Sequence, residues 1–524
     1  MSDHNERPMI VNPATGAAVA EIAEHTAEQV AEAAERARDA QREWSATSVS
    51  HRARIIRRAR RFVADNADRL AAIVSECTGK PRIDALATEV LPAAVMVDYY
   101  ARIAPRVLRP HRIAGSSLLF FDKASTLHRE PFGVVGIISP WNYPLGIPLH
   151  EVITALLCGN AVLLKVATQV QPVGDAIAAM FAACGLPAGL LHVVHVPGRI
   201  AGEALLDAGI AKLFFTGSTD VGRELARKAG ERLVPVSLEL GGNDAMLVLP
   251  GADLLRAAAC AVWAGMSNTG QSCGGVERIY VAESVYDAFV AALRPMVERL
   301  RVGADVDHRV DVGSLTTRGQ LDTVTAHVRD ARQRGAIEVA ASSLPAGASG
   351  HFHPALVLEL SDDDASLLCD ETFGPVIALR RVRDVDEAVS RANASQFGLT
   401  ASVWTQDRRL ADAVASRLEA GAVTINDHLM SHGMPETPWG GVKESGIGRS
   451  HSELGFHEMT QPKVVVRGRF GFIRKNMWWQ PYSPEVYRGL SGALTAFYGH
   501  GIGSRVRGIA ATARLFIRRA RGID

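Results

Sequence analysis

Apolar positions along this chain change their spacing twice. Residues 26–44 place alanines and valine on one face behind a threonine in the capping position, which predicts an amphipathic helix. The same spacing over 51–78 and 83–103 extends a helical first region. Residues 117–122 and 125–130 then read as two strands joined by a short turn. From Gly133 onward the period switches to short apolar runs alternating with helical stretches such as 172–184. The runs are 134–138, 161–164, 192–195, 212–215 and 234–237. Short apolar strands with helical crossovers predict a parallel sheet covered on both faces. A second series follows Cys273, at 278–281, 376–379, 400–403 and 422–425. The expected class is α/β, in two domains whose seam carries the chemistry. No short-period repeat interrupts the pattern.

With 524 residues, 47% hydrophobic and 22% charged, the chain exceeds one compact core and implies two or three domains. Its first seven residues lack the pattern of a signal peptide. The longest uncharged run, 131–149, carries four prolines and cannot make a spanning helix. Cys77, Cys158, Cys184, Cys260, Cys273 and Cys369 show neither paired nor metal-ligand spacing. Free thiols in a reducing, cytoplasmic compartment are expected, with no metal. The net charge of +1 conceals an asymmetry. From Lys463 to Asp524 twelve basic residues face two acidic ones, leaving the preceding body at about −9.

Three segments carry the chemistry. Asn268-Thr269-Gly270-Gln271-Ser272-Cys273 sets a cysteine in a small, polar, glycine-containing turn. Upstream, Leu238-Glu239-Leu240-Gly241-Gly242 offers a carboxylate, and Pro140-Trp141-Asn142-Tyr143-Pro144 a carboxamide. A thiol nucleophile, a base and an amide donor are the groups needed to form and then hydrolyse a thioester.

With these and four further motifs the chain resembles the NAD(P)-dependent aldehyde dehydrogenase superfamily over about residues 8–465. The further motifs are Gly159 to Lys165, Phe215 to Gly222, Glu371 to Val376 and Pro438 to Lys443. The resemblance implies two Rossmann-like α/β domains and a hairpin oligomerisation element. On that division 1–112 and 132–241 bind dinucleotide, 242–442 are catalytic, 113–131 and 443–468 oligomerise, and 469–524 form an extension. It implies a homodimer or homotetramer, NAD or NADP as cofactor, and a small-molecule aldehyde as substrate. Cys273 would be the nucleophile, Glu239 the base for thioester hydrolysis, and Asn142 an oxyanion donor. Lys165 would hold the adenosine ribose and Glu371 the nicotinamide ribose, with Ser139, Trp141, Thr168, Gly217, Ser218 and Phe373 completing the cofactor site.

The turn Thr216 to Thr219 follows a strand and opens a helix, so its amides can hold pyrophosphate although G-x-G-x-x-G is absent. Thr168 stands where many relatives have an acid that accepts from the ribose 2′-OH, so NADP stays open beside NAD. Glu239 favours water over coenzyme A as acyl acceptor. Relatives that oxidise succinic semialdehyde carry an arginine eight residues after the position of Asn142; here that residue is His150, followed by Glu151. Succinic semialdehyde and long-chain aldehydes both remain candidates. Trp141, Tyr143, Trp263 and Phe373 suggest an apolar aldehyde tunnel.

Past 468, residues 504–521 place Val506, Ile509, Ala510, Ala513, Phe516, Ile517 and Ala520 on one helical face and Arg507, Arg514, Arg518 and Arg521 on another. A basic amphipathic helix of this kind suits an anionic membrane surface or a neighbouring subunit. Nucleic acid is not expected as a partner, because no reading element accompanies the charge.

Overall fold

Each parallel strand of the chain is an apolar run too short to bury itself, and two sheets result. The computed structural model describes residues 8–523. Met1 to Arg7, read above as lacking a signal peptide, lie outside the described residues, as does Asp524. The first sheet has six strands in the order Gly446–Ile447, Val236–Glu239, Lys212–Thr216, Val134–Ser139, Ala161–Val166 and Leu191–Val193. All neighbours are parallel except Gly446–Ile447 against Val236–Glu239. The second has seven, in the order Ile337–Ala341, Leu356–Glu359, Val376–Val382, Val276–Ala282, Asp244–Val248, Thr400–Trp404 and Ala422–Ile425. Only its first pair is antiparallel.

Both sheets belong to one compact unit, which takes in described residues up to 108 and 131–461, while 109–130 and the described residues from 462 on form a second. Residues 443–461, placed with the hairpin in the sequence division, thus cluster with the larger unit. The reason is local: Gly446–Ile447 completes the six-stranded sheet, and Phe456 of the helix Ser452–Glu458 is fully buried in its core.

Several elements differ from expectation. The fifth strand of the first series runs Val236–Glu239 rather than 234–237, because Pro235 has no N–H to give the ladder. That shift puts Glu239 at the strand's carboxyl end. The interior strand Asp244–Val248 went unread, since Ala-Met-Leu-Val is neither alternating nor β-branched enough to separate strand from helix. Ile337–Ala341, Leu356–Glu359 and the N-terminal pair Met9–Val11 and Ala18–Glu21 went unread as well. The helical region 51–78 breaks into Val49–Ile56, Ala59–Asp65 and Ala67–Thr78, and 83–103 contains a π-helical turn at Leu86–Val90.

In the second unit, Leu118–Phe120 is a 3₁₀ turn capped by Ser117, not a strand. The strand that pairs with Lys123–Pro131 is His111–Ile113, with His111 opposite Leu127. Thr460–Gly468 lies on the other side of Lys123–Pro131. The extension forms two helices, Pro484–Tyr498 and Ile502–Ala520, that cross at glycines. A Cβ on Gly492 would come within 2.9 Å of the Gly508 carbonyl oxygen, and a Cβ on Gly489 would collide with Leu515. The packed face therefore runs through Gly508 and Leu515. It leaves the stripe of Val506, Ile509 and Ile517 at the surface.

Candidate active site

Parallel strands expose their carboxyl ends on one edge, and loops there converge on a shared crevice. Val134–Ser139 runs into Pro140-Trp141-Asn142, Lys212–Thr216 into Gly217-Ser218, and Val236–Glu239 ends on the carboxylate itself. With Cys273, Glu371 and Phe373 from the second half of the unit, these line a cavity of about 330 Å³. Eight of the residues singled out in the sequence meet there: Trp141, Asn142, Gly217, Ser218, Glu239, Cys273, Glu371 and Phe373. Ser139, Lys165 and Thr168 do not line it. Ser139 and Lys165 are buried on adjacent strands, and Thr168 opens a half-buried turn after the second of them.

The turn before Cys273 is strained. Asn268, Thr269 and Gly270 have φ of 53°, 57° and 70° in succession. A β-branched residue rarely adopts that conformation, so the surroundings must hold it. Asp84 does so, its carboxylate accepting from the Asn268 N–H at 2.7 Å and the Ser267 hydroxyl at 2.9 Å. At Gly270 a Cβ would collide with the Gly374 carbonyl, and at Gly242 with that of Cys273, so both glycines are required for close approach. The Cys273 side chain is half-buried. Burial first, then the carboxylates of Glu371, Asp244 and Glu239, push its thiol well above the ordinary range.

Asn142 is clamped at both ends. Its backbone carbonyl accepts from Lys80 Nζ at 2.7 Å and Asn268 Nδ2 at 2.9 Å, and its side-chain Nδ2 donates to the Gln271 carbonyl at 3.2 Å. That leaves the second amide N–H uncommitted. Lys80 is held in turn by Glu89 at 2.7 Å, both side chains being fully buried. The π-helical turn sets Glu89 inward, where it also accepts from the N–H of Leu145 at 2.7 Å. Sequence reading missed Lys80, Glu89 and Asp84. Glu89's inward face follows from a π-turn that helical periodicity does not foresee.

Glu239 has one carboxylate oxygen enclosed without a hydrogen-bond partner among the described residues. Burial first and the neighbouring Glu151 second raise it well above the usual carboxylate range, opposed by Arg449. Glu371 accepts from the Gly242 N–H at 3.0 Å, and burial raises it to about 7. Its loop is fixed by Glu277, which accepts the N–H groups of Thr372 and Phe373 at 2.8 and 2.7 Å.

The residues present fit a dinucleotide. Ser218 precedes the helix Thr219–Glu231 without a side-chain cap, leaving first-turn N–H groups for a phosphate. A Cβ at Gly217 would lie 2.5 Å from the Phe215 ring, so that approach stays narrow. Lys165, 5% exposed, makes no ion pair among the described residues, and burial lowers its affinity for protons. The proposed aromatic tunnel does not form as read. Trp141 and Phe373 meet edge-on at 5.6 Å in the cavity, but Trp263 is exposed on its helix and Tyr143 is buried against Lys80 and His432. No group of His, Cys, Asp or Glu among the described residues has metal-holding geometry.

A model of the aldehyde dehydrogenase family matches residues 1–465. The chain is 39% identical over 456 residues to a Mycolicibacterium smegmatis protein named "Putative succinate-semialdehyde dehydrogenase (NADP(+))", covering 87% of each. It is 38% identical to the 4,4'-diapolycopene aldehyde oxidase of a Methylomonas species, covering 87% of this chain and 84% of that one. An NAD-dependent aldehyde dehydrogenase from Sinorhizobium meliloti superposes with a TM-score of 0.83 at 30% identity, over 91% of this chain and 92% of that one.

Proposed function

The chain belongs to the aldehyde dehydrogenase family, and we propose that it oxidises an aldehyde to a carboxylic acid with NAD or NADP through a thioester on Cys273. The observation that carries this is the meeting of Cys273, Glu239 and Asn142 around one cavity. Ser218 and Gly217 would hold the pyrophosphate, Lys165 the adenosine ribose and Glu371 the nicotinamide ribose. Thr168 neither pairs with a 2′-OH as an acid would nor repels a 2′-phosphate, which leaves both dinucleotides acceptable. Bound there, the dinucleotide supplies the hydride acceptor and a cationic ring whose charge offsets that of a thiolate.

Cys273 Sγ, its thiol proton passing to water, adds to the carbonyl carbon, giving a thiohemiacetal. The free amide N–H of Asn142 and the backbone N–H of Cys273, which makes no hydrogen bond among the described residues, stabilise its oxyanion. One such donor contributes about 2.7–4 kcal/mol in a protease. Once hydride has left, a thioester remains. Glu239 then takes a proton from water as that water attacks the acyl carbon, and the acid and the free thiol are released. Its enclosure keeps it a strong enough base for that transfer.

Incubation with an aldehyde and NAD+ or NADP+ tests the reading. Wild type is expected to form acid and reduced cofactor in equal amounts. Cys273→Ala should lose at least about a thousandfold in kcat, some 4 kcal/mol of barrier, while still binding cofactor. Wild-type-like turnover by the variant would refute the covalent route.

A second reading concerns the terminal helices. From Val486 to Ile523 there is no acid and seven arginines, and Tyr487, Leu494, Tyr498, Val506 and Ile509 are all more than half exposed. We infer that this surface rests on an anionic membrane. No described helix is long and apolar enough to cross one, and contact would be peripheral. A dimer or tetramer built on the oligomerisation element, 113–131 with 443–468, is compatible with this.

A further inference from the structure

We propose that His150, His432 and His451 recognise the distal end of the aldehyde, and that they select a hydroxyl-bearing chain over a hydrocarbon or a carboxylate. The proposal rests on the reading of Cys273 as nucleophile. His150 lies mid-helix in Gly146–Cys158, His432 in the turn Met430–Gly433, and His451 just before the helix Ser452–Glu458. Three distant segments thus supply one cluster. His150 meets His451 edge-on at 4.6 Å, His451 stacks on His432 at 5.4 Å, and His432 packs on Trp439 at 4.7 Å. Trp439 in turn abuts the residue after the nucleophile: a Cβ on Gly274 would lie 2.6 Å from its ring. Contact therefore runs unbroken from the Cys273 turn to His150.

The cluster is polar and unsatisfied. Among the described residues, both ring nitrogens of His451, one of His150, Nδ1 of His432 and the hydroxyl of Ser431 are enclosed with no hydrogen-bond partner. His150 is 4% exposed and His451 not at all. An unpaired buried polar atom costs about 1–3 kcal/mol, so five of them in one place mark a surface built to face a polar ligand. His451 adds strain, with φ 61° and ψ 178°, a conformation occupied almost only by glycine. Such strain persists where the position of a side chain matters more than local stability.

The same rings carry no charge at neutral pH. Burial first and His432 second lower His150 to about 3, opposed by the Gly146 carbonyl. Burial lowers His432 to about 4, and burial with the other two rings lowers His451 well below the ordinary histidine range. Glu151, beside His150, is raised by burial to about 8 and is protonated too. A carboxylate would find no counter-charge here, and a hydrocarbon would leave every nitrogen orphaned. A neutral imidazole offers one N–H and one lone pair, which a hydroxyl answers with one O–H and its own lone pairs. Sites built on such pairs reject the analogue that lacks the partner.

The test compares kcat/KM for aldehydes three to six carbons long that end in methyl, hydroxyl or carboxylate, using the full chain and either cofactor. The hydroxyl-terminated member at the best length is expected to exceed both counterparts by about tenfold or more, chiefly through KM. His150→Leu and His432→Leu should reverse the order of hydroxyl and methyl, and His150→Asn, which keeps a donor and an acceptor, should restore it. A wild-type preference for methyl or carboxylate ends overturns this proposal alone. Loss of turnover with every aldehyde removes the reaction itself and this proposal with it.

Discussion

The histidine cluster and the terminal helices break the usual rule of burial in opposite directions. Around His451, polar atoms are enclosed without partners; on the helices Pro484–Tyr498 and Ile502–Ala520, apolar side chains such as Leu494 and Tyr498 stand in water at 65% and 71% exposure. Each arrangement is costly in isolation and acceptable once something binds, a polar chain end in one place and a lipid surface in the other. They differ in how they are written. The helical stripe is spelled in one stretch of sequence, whereas the cluster is assembled from residues some 300 positions apart. Periodicity exposes the first and is blind to the second.

Charge reversal gives the largest expected effect on this comparison. Arg505, Arg507, Arg514 and Arg521 are exposed, and each arginine near an anionic surface contributes about 1 kcal/mol. Arg507→Glu with Arg514→Glu, in the full chain, should weaken sedimentation with anionic vesicles by about a hundredfold and leave neutral vesicles unaffected. Added salt should mimic the change through screening. Equal binding before and after reversal would move the stripe's partner from lipid to a second copy of the chain.

A smaller effect sharpens the other side. Glu151, raised to about 8 from the ordinary 4.5, holds its proton more tightly folded than unfolded. Its contribution to stability is full below about pH 4.5. It is then lost by about 1.4 kcal/mol per pH unit as pH rises through 8. Glu151→Gln, which cannot ionise, should gain melting temperature over wild type by a few degrees more at about pH 8 than at about pH 5. An offset that is the same at both would mean that Glu151 is already ionised and that the cluster beside it is charged.

Much of the fold and the centre of the site were legible. The two βα series, Cys273, Glu239 and Asn142 all stand in stretches whose local pattern declares them: strand, turn, then a reactive side chain. What was not legible depends on tertiary contact. Asp84, Lys80 and Glu89 stand in no motif, and only packing against 142–146 and 267–268 makes them the braces of the active-site turns. Asp244–Val248 lacks alternation because both its faces are buried, so its place inside the sheet could not be read from period. Trp263 carried an aromatic signal with no direction attached, and it faces solvent.

The central claim is that Cys273 forms a thioester which Glu239 clears. Rapid mixing of Glu239→Gln with aldehyde and oxidised cofactor tests it most directly. The account predicts a burst of reduced cofactor of about one per active site, then a steady rate far below that of wild type. A variant with no burst, losing the first turnover along with the rest, would contradict it by placing Glu239 before hydride loss rather than after.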